Sequence, residues 1–175
     1  MRTLFESRLI KANSGFTLME LMVVIAIIAV SLIIAIPTYH FSIKPTVSLN
    51  GAARQLYSDV QLTRLRAVTV NTRCGLVFFA APPRYTIFRD NNPANSQYDA
   101  GEEVIKTVNL SKEYPKVQLD TTQGGGDGIN FTNNSFSMTP KGLSTLDGEV
   151  YLINNKGKGR RIDVNIMGGV RIEKY

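Results

Sequence analysis

The chain has 175 residues, 43% of them hydrophobic, and a formal net charge of +6. With one cysteine, Cys74, and one histidine, His40, no disulfide can close within the chain, and a histidine-based metal site or catalytic triad lacks parts. The modest positive balance is compatible with anionic lipid or nucleic acid as a partner and demands neither.

Residues 1–15 form a short polar leader carrying Arg2, Arg8 and Lys11 against Glu6. Phe16-Thr17-Leu18-Met19-Glu20 follows, then an apolar run from Leu21 to Ile36 broken only by Ser31. As a helix, residues 16–36 rise about 30 Å, the thickness of a bilayer's hydrocarbon core. The basic leader before them predicts a cytoplasmic N-terminus. A secretory signal peptide carries an apolar region of about 7–15 residues and then a small-x-small cleavage site. This run is longer, and no such site follows it. An ordinary single-span anchor accounts for the length but not for Gly15 or Glu20. A charge well inside a bilayer is costly, whereas an acid at the start of a helix is favoured by the helix dipole.

Beyond the apolar run, Leu49, Ala52, Ala53, Leu56, Val60, Thr63 and Ala67 recur at steps of three and four, the stripe of an amphipathic helix. Arg54, Ser58, Asp59, Gln61, Arg64 and Arg66 fall mostly on other faces. The pattern predicts one helix from about residue 16 to about residue 70. It is bent at Pro37, which lacks a backbone donor and crowds the carbonyl of Ile33. Pro45 and Gly51 are further weak points, and two separate helices are the alternative.

From Thr72 the periodicity shifts towards two. It predicts strands over residues 73–80, 84–90, 103–110, 116–121, 129–132, 135–138, 149–154, 160–166 and 170–174. Glycine, proline, asparagine and aspartate punctuate them. Ile162, Val164 and Ile166 alternate, as do Val170 and Ile172, around Gly168-Gly169, a hairpin signal. Asn133-Asn134 marks a second hairpin. The fold class is therefore α+β: a long N-terminal helix, transmembrane and then amphipathic, packed on an antiparallel sheet domain. Cys74, isolated, reads as a small buried hydrophobe.

Three stretches carry possible chemistry. Asp90-Asn91-Asn92, with Asp99 and Glu102, offers oxygen ligands in a turn, but the spacing departs from a calcium loop and such turns form without metal. Residues 123–128 are glycine-rich yet lie between strands and lack the lysine of a phosphate loop. Lys156, Lys158, Arg160, Arg161, Arg171 and Lys174 form a basic tail that could attract a nucleic-acid backbone. Neither a metal nor a cofactor is expected, and no catalytic constellation is visible.

Gly15-Phe16-Thr17-Leu18-Met19-Glu20 resembles the type III signal of type IV prepilins and pseudopilins. The resemblance implies cleavage between Gly15 and Phe16 and N-methylation of Phe16 by a prepilin peptidase and N-methyltransferase. Glu20 becomes the fifth residue after the cut, and Pro37 falls where relatives commonly carry proline. The order of elements is similar to the GspH/FimT branch of minor pseudopilins, through Leu62-Thr63-Arg64-Leu65-Arg66-Ala67, Cys74 to Phe79, Tyr85 to Asp90 and Lys158-Gly159-Arg160-Arg161.

That resemblance implies a leader (1–15), a transmembrane and assembly helix (16–37), its amphipathic half (38–71) and a β-rich domain (72–175). It implies a structural subunit, not an enzyme, that starts or caps a type II secretion pseudopilus or a type IV pilus. Such a subunit is held in the bacterial inner membrane with its C-terminal domain in the periplasm. Its partners would be other pilins or pseudopilins, with Glu20 serving subunit packing. Some relatives in this branch bind DNA for natural transformation through a C-terminal Gly-Arg-x-Arg motif. Here Gly168-Gly169-Val170-Arg171 stands at the matching place, with Gly169 instead of the first arginine. Lys158, Arg160, Arg161 and Arg171 are the candidates for that alternative role.

Overall fold

The structure, a computed structural model, describes residues 16–38, 44–91 and 94–175. The leader with Gly15, His40 and Asn92 lie outside the described residues. The chain divides into two compact units, Met1–Tyr39 and His40–Tyr175.

In the first unit, helix α1 spans Leu18–Thr38 and runs through Pro37. Ser31, the one polar side chain within its apolar run, turns its hydroxyl back onto the carbonyl of Ile27 at 2.8 Å, which satisfies it without an outside partner. Every side chain from Phe16 to Ile33 is exposed. Among the described residues no helix is long and apolar enough to cross a membrane.

The second unit opens with α2, Lys44–Val70. Pro45 sits in its first turn, where a missing N–H breaks no intrahelical bond, and the helix continues through Gly51. The two described helices thus begin and end on either side of residues 39–43. Asn71, at φ 51°, adopts the left-handed conformation that asparagine tolerates, and the Thr72 N–H returns to the Ala67 carbonyl at 3.2 Å, closing the helix end. The predicted stripe is the buried one: Leu49, Ala52, Ala53, Leu56, Val60, Thr63 and Ala67 are all within the core. Complete burial of a leucine stabilises by about 1.5–3 kcal/mol.

Two four-stranded antiparallel sheets flank α2. The first has the order β3-β2-β1-β5, from Val104–Asn109, Arg84–Arg89, Cys74–Phe79 and Ser135–Met138. The second has the order β4-β6-β7-β8, from Val117–Leu119, Gly148–Asn154, Gly159–Val164 and Val170–Lys174. A four-residue helix, α3 (Leu110–Glu113), caps the end of β3 with the Asn109 side chain accepting from the Lys112 N–H. Phe78, Phe131 and Phe136 stack at centroid distances of 4.6 to 6.3 Å, with Tyr85 tilted against Phe78.

Four expectations need correction. Residues 129–132 are not a strand: Ile129 forms a single bridge to Val150 in the second sheet, and the chain then turns at Thr132–Asn134 into β5 of the first. Asn133 and Asn134, at φ 55° and 53°, therefore make a crossover between sheets and not a hairpin. The last strand pair does close as a hairpin around Gly168, with Val164 opposite Val170, but β7 ends at Val164 and Ile166 is exposed. Gly168 is required there: it has φ 75°, and a Cβ would lie 2.3 Å from the Gly142 carbonyl oxygen.

Asp59 is the fourth. Grouped by the pattern with residues that fall mostly on other faces than the stripe, it is buried on the sheet side of α2. Its carboxylate accepts from the Tyr85 hydroxyl at 2.7 Å, from Lys106 Nζ at 2.7 and 2.9 Å, and from Gln55 Nε2 at 3.1 Å. This set ties the helix to β2 and β3. Burial, and then the bond to Asp59, push the Tyr85 phenol far above its ordinary value.

Candidate functional site

The N-terminal candidate residues gather around the start of α1. Thr17 is the residue before the helix, and its hydroxyl accepts the Glu20 N–H at 3.2 Å, while its carbonyl accepts the Leu21 N–H at 3.2 Å. Thr17-Leu18-Met19-Glu20 thus has the Thr-x-x-Glu form of a capping box. The sequence carried this signal, and the role of Thr17 went unread in it. Glu20 stands in the first turn, where the unsatisfied N–H groups and the dipole favour a negative charge. Phe16, 83% exposed, precedes the cap. The arrangement ends an apolar rod, interrupted only by Ser31, in one carboxylate four residues from Phe16, which would carry a new amino group after a cut at Gly15.

The basic tail is divided by the pleat of the second sheet. Arg161 pairs with Glu173 and with Glu149, the latter at 3.1 Å, and Arg171 pairs with Glu173 at 3.1 Å. Cross-strand register places Arg161 opposite Glu173 and Asp163 opposite Arg171. The face turned away from α2 is therefore a lattice of alternating charges, and the pairing with Glu173 and Glu149 raises the Arg161 pKa. Tyr175 closes this face. Its ring lies edge-on to Tyr151 at 5.4 Å, and its hydroxyl donates to Asp120 at 2.9 Å. Burial works against the Asp120 charge, but bonds from Thr122 and Tyr175 hold its pKa below the ordinary value.

Arg160 has the opposite parity and faces α2, where its Nε donates to Asn50 Oδ1 at 3.0 Å. Lys158 stands in the β6–β7 turn, its N–H bonded to Asn154 Oδ1 at 3.1 Å. The four residues singled out for nucleic acid are thus not brought to one surface. At position 169 a Cβ would lie 2.9 Å from the Asn165 amide, so an arginine there would displace the side chain that holds the turn through the Gly169 N–H at 2.9 Å.

The acidic turn is occupied by its own chain. Asp90 accepts from the N–H groups of Asn95 and Ser96 at 3.0 and 3.1 Å and from the Ser137 hydroxyl at 2.6 Å. Glu102 accepts from the N–H groups of Asn91 and Asp99 at 3.1 and 3.0 Å. These carboxylates brace the loop between β2 and β3 by filling backbone donors that would otherwise be unsatisfied. The glycine-rich stretch folds as a single turn at Gly124–Gly126, pinned by the Asp127 carboxylate to Ile129 and Asn134. Cys74 is buried, and desolvation raises its thiol pKa.

A capped apolar helix, followed by an amphipathic helix backed by antiparallel sheet, defines the pilin-like class of fold. The minor pseudopilin EpsH from the type 2 secretion system of Vibrio cholerae is similar in fold over part of the chain, with a TM-score of 0.53 at 13% identity, covering 73% of this chain and 97% of that one. The type IV minor pilin FimU of Pseudomonas aeruginosa PAO1 gives a TM-score of 0.48 at 12% identity, over 71% of this chain and 92% of that one. In sequence, the pilin-like protein PilA1 of Thermus thermophilus is 31% identical over 162 residues, 91% of this chain and 97% of that protein. The family model for type II transport protein GspH matches residues 52–168, and the prokaryotic N-terminal methylation motif matches residues 10–36. The chain belongs to the GspH family of pilin-like proteins, and is a structural component of a pilus or pseudopilus and not an enzyme.

Proposed function

We propose that this subunit starts or caps assembly of a type II secretion pseudopilus or type IV pilus, anchored by residues 16–37 in the bacterial inner membrane with residues 72–175 in the periplasm. The observation that carries the reading is the exposure of every side chain from Phe16 to Ile33 on a helix with a well-formed N-terminal cap. A surface so apolar needs lipid or other such helices around it. In this reading the prepilin peptidase cuts after Gly15 and the new Phe16 amine is methylated. The rod is held first in lipid, and then in a bundle of pilin or pseudopilin rods. There, Glu20 of one subunit neutralises the Phe16 amine of its neighbour. Removing the acid leaves a cation unpaired among apolar side chains, a situation that costs about 3–5 kcal/mol when partners are truly buried.

The test separates processing from assembly. Glu20→Ala is expected to be cut after Gly15 and methylated normally, as read by mass spectrometry of the mature chain, while its incorporation into sheared filaments falls at least tenfold. Normal incorporation would remove the packing role from Glu20. An uncut Met1–Gly15 leader on the native chain would remove the whole reading. The alternative, DNA capture for natural transformation, is not favoured, because Arg161 and Arg171 are ion-paired and Arg160 faces the other way.

A further inference from the structure

The cations left over from the charge lattice meet in one place. Arg54, Arg160 and Lys174, with Asn50, Ala53 and Ile172, line a groove of about 420 Å³ between α2 and the β7–β8 hairpin. Register sets Arg160 directly opposite Lys174 on the side of the sheet that faces α2, and Arg54 approaches from the helix. Arg160 is oriented from behind: its Nε donates to Asn50 Oδ1 at 3.0 Å and its Nη1 to the Gly159 carbonyl at 2.7 Å. Glu173 also borders the groove, but its carboxylate is held on the far face by Arg161 and Arg171. Among the described residues, none of the three groove cations forms an ion pair with a carboxylate. Three unpaired positive charges round one concavity, whose one bordering acid is engaged by Arg161 and Arg171, set up a potential that an incoming anion relieves.

We propose that this groove binds the phosphate of an anionic phospholipid headgroup. The proposal rests on the membrane-anchored reading above. A guanidinium held in plane by neighbouring bonds is suited to the oxygens of a phosphodiester, and the volume is that of a small-molecule site. It has no room for a duplex, and Arg161 and Arg171, which would extend a nucleic-acid track, are paired on the opposite face. Asn50 and Arg54 belong to the first three turns of α2, the helix that follows the apolar rod in the chain. Asn50 and Arg54 follow residue 37, the end of the proposed anchor, by 13 and 17 residues, and lipid headgroups are the phosphates that the anchored reading itself supplies.

The test is native mass spectrometry of the full chain in neutral detergent, titrated with phosphatidylglycerol, phosphatidylcholine, glycerol phosphate and a short DNA duplex. Phosphatidylglycerol is expected to be retained over phosphatidylcholine. Arg54→Gln and Lys174→Gln should each lower that retention about fivefold, the usual worth of one basic residue at an anionic surface. Lys156→Gln, outside the groove, should leave it unchanged. Equal retention of the two lipids would overturn the proposal, and so would a triple Arg54→Gln/Arg160→Gln/Lys174→Gln variant that retains phosphatidylglycerol fully. Glycerol phosphate binding as tightly as phosphatidylglycerol would reassign the groove to a free phosphate, and tighter binding of a short DNA duplex would reassign it to nucleic acid. Membrane fractionation tests the underlying reading separately. The triple variant should stay with membranes through residues 16–37, whereas release of the unsubstituted chain into the aqueous fraction would sink the anchor itself.

Discussion

Asp59→Ala addresses the tie between α2 and the first sheet. The substitution leaves the Tyr85 hydroxyl without its acceptor in a position that is fully buried, a loss of about 1–3 kcal/mol. Lys106 loses its carboxylate too, but its side chain is 36% exposed and can turn to water, so its share is discounted to under about 1 kcal/mol. The total is about 1–4 kcal/mol, or a fall in Tm of about 3–12 °C for a domain of this size. Urea unfolding of the full chain in neutral detergent, followed through the tyrosine signal, measures it. Asp59→Asn keeps an oxygen for Tyr85 and should lose markedly less. In a cycle with Lys106→Met, the double variant should lose less than the sum of the two single variants, because the partners are in contact. A loss below about 0.5 kcal/mol for Asp59→Ala, or strict additivity in the cycle, would refute the idea that this cluster locks helix to sheet.

Three further outcomes follow from the same packing. The folded chain keeps the Tyr85 proton above pH 10, where an unfolded tyrosine releases it. The folded state therefore binds more protons there, and stability that is intact below pH 10 falls as pH rises beyond it, by up to about 1.4 kcal/mol per pH unit; Tyr85→Phe should flatten that alkaline limb. Gly75→Ala places a Cβ 2.4 Å from Phe88 Cζ and 2.8 Å from Ser137 Oγ, and should destabilise the domain by about 1–3 kcal/mol through overpacking, read as a lower urea midpoint. The Cys74 thiol should react with an aromatic disulfide reagent only at the rate of unfolding, since burial both shields it and keeps it protonated; fast labelling of the native chain would contradict its placement.

The helix stripe was legible because apolar spacing reports a face directly, and each of its residues is buried. The place of Asp59 was not legible in that spacing: only the tertiary positions of Tyr85 and Lys106, 26 and 47 residues away in the chain, reveal where its carboxylate goes. Residues 129–132 have strand composition, but whether Asn133-Asn134 returns the chain to its own sheet or hands it to another depends on β1 waiting as a partner for β5. The basic tail looked like one patch because sequence proximity ignores pleat. Adjacent Arg160 and Arg161 point to opposite faces of β7, one towards Asn50 and the other towards Glu149 and Glu173. The Thr17 cap could be read from Thr-x-x-Glu alone, since it involves only neighbours within one turn.

Helix α2 is the element against which both sheets rest, and each sheet is hydrogen-bonded within itself. A mechanical load entering the domain at Lys44 therefore meets two fasteners in parallel. To draw the helix out, it must shear the Asp59–Tyr85–Lys106 tie on one side and the Arg160–Asn50 contact on the other, where peeling a hairpin would break ladder bonds one by one. Pulled along its helix, such a domain gives way only when both fasteners are sheared together.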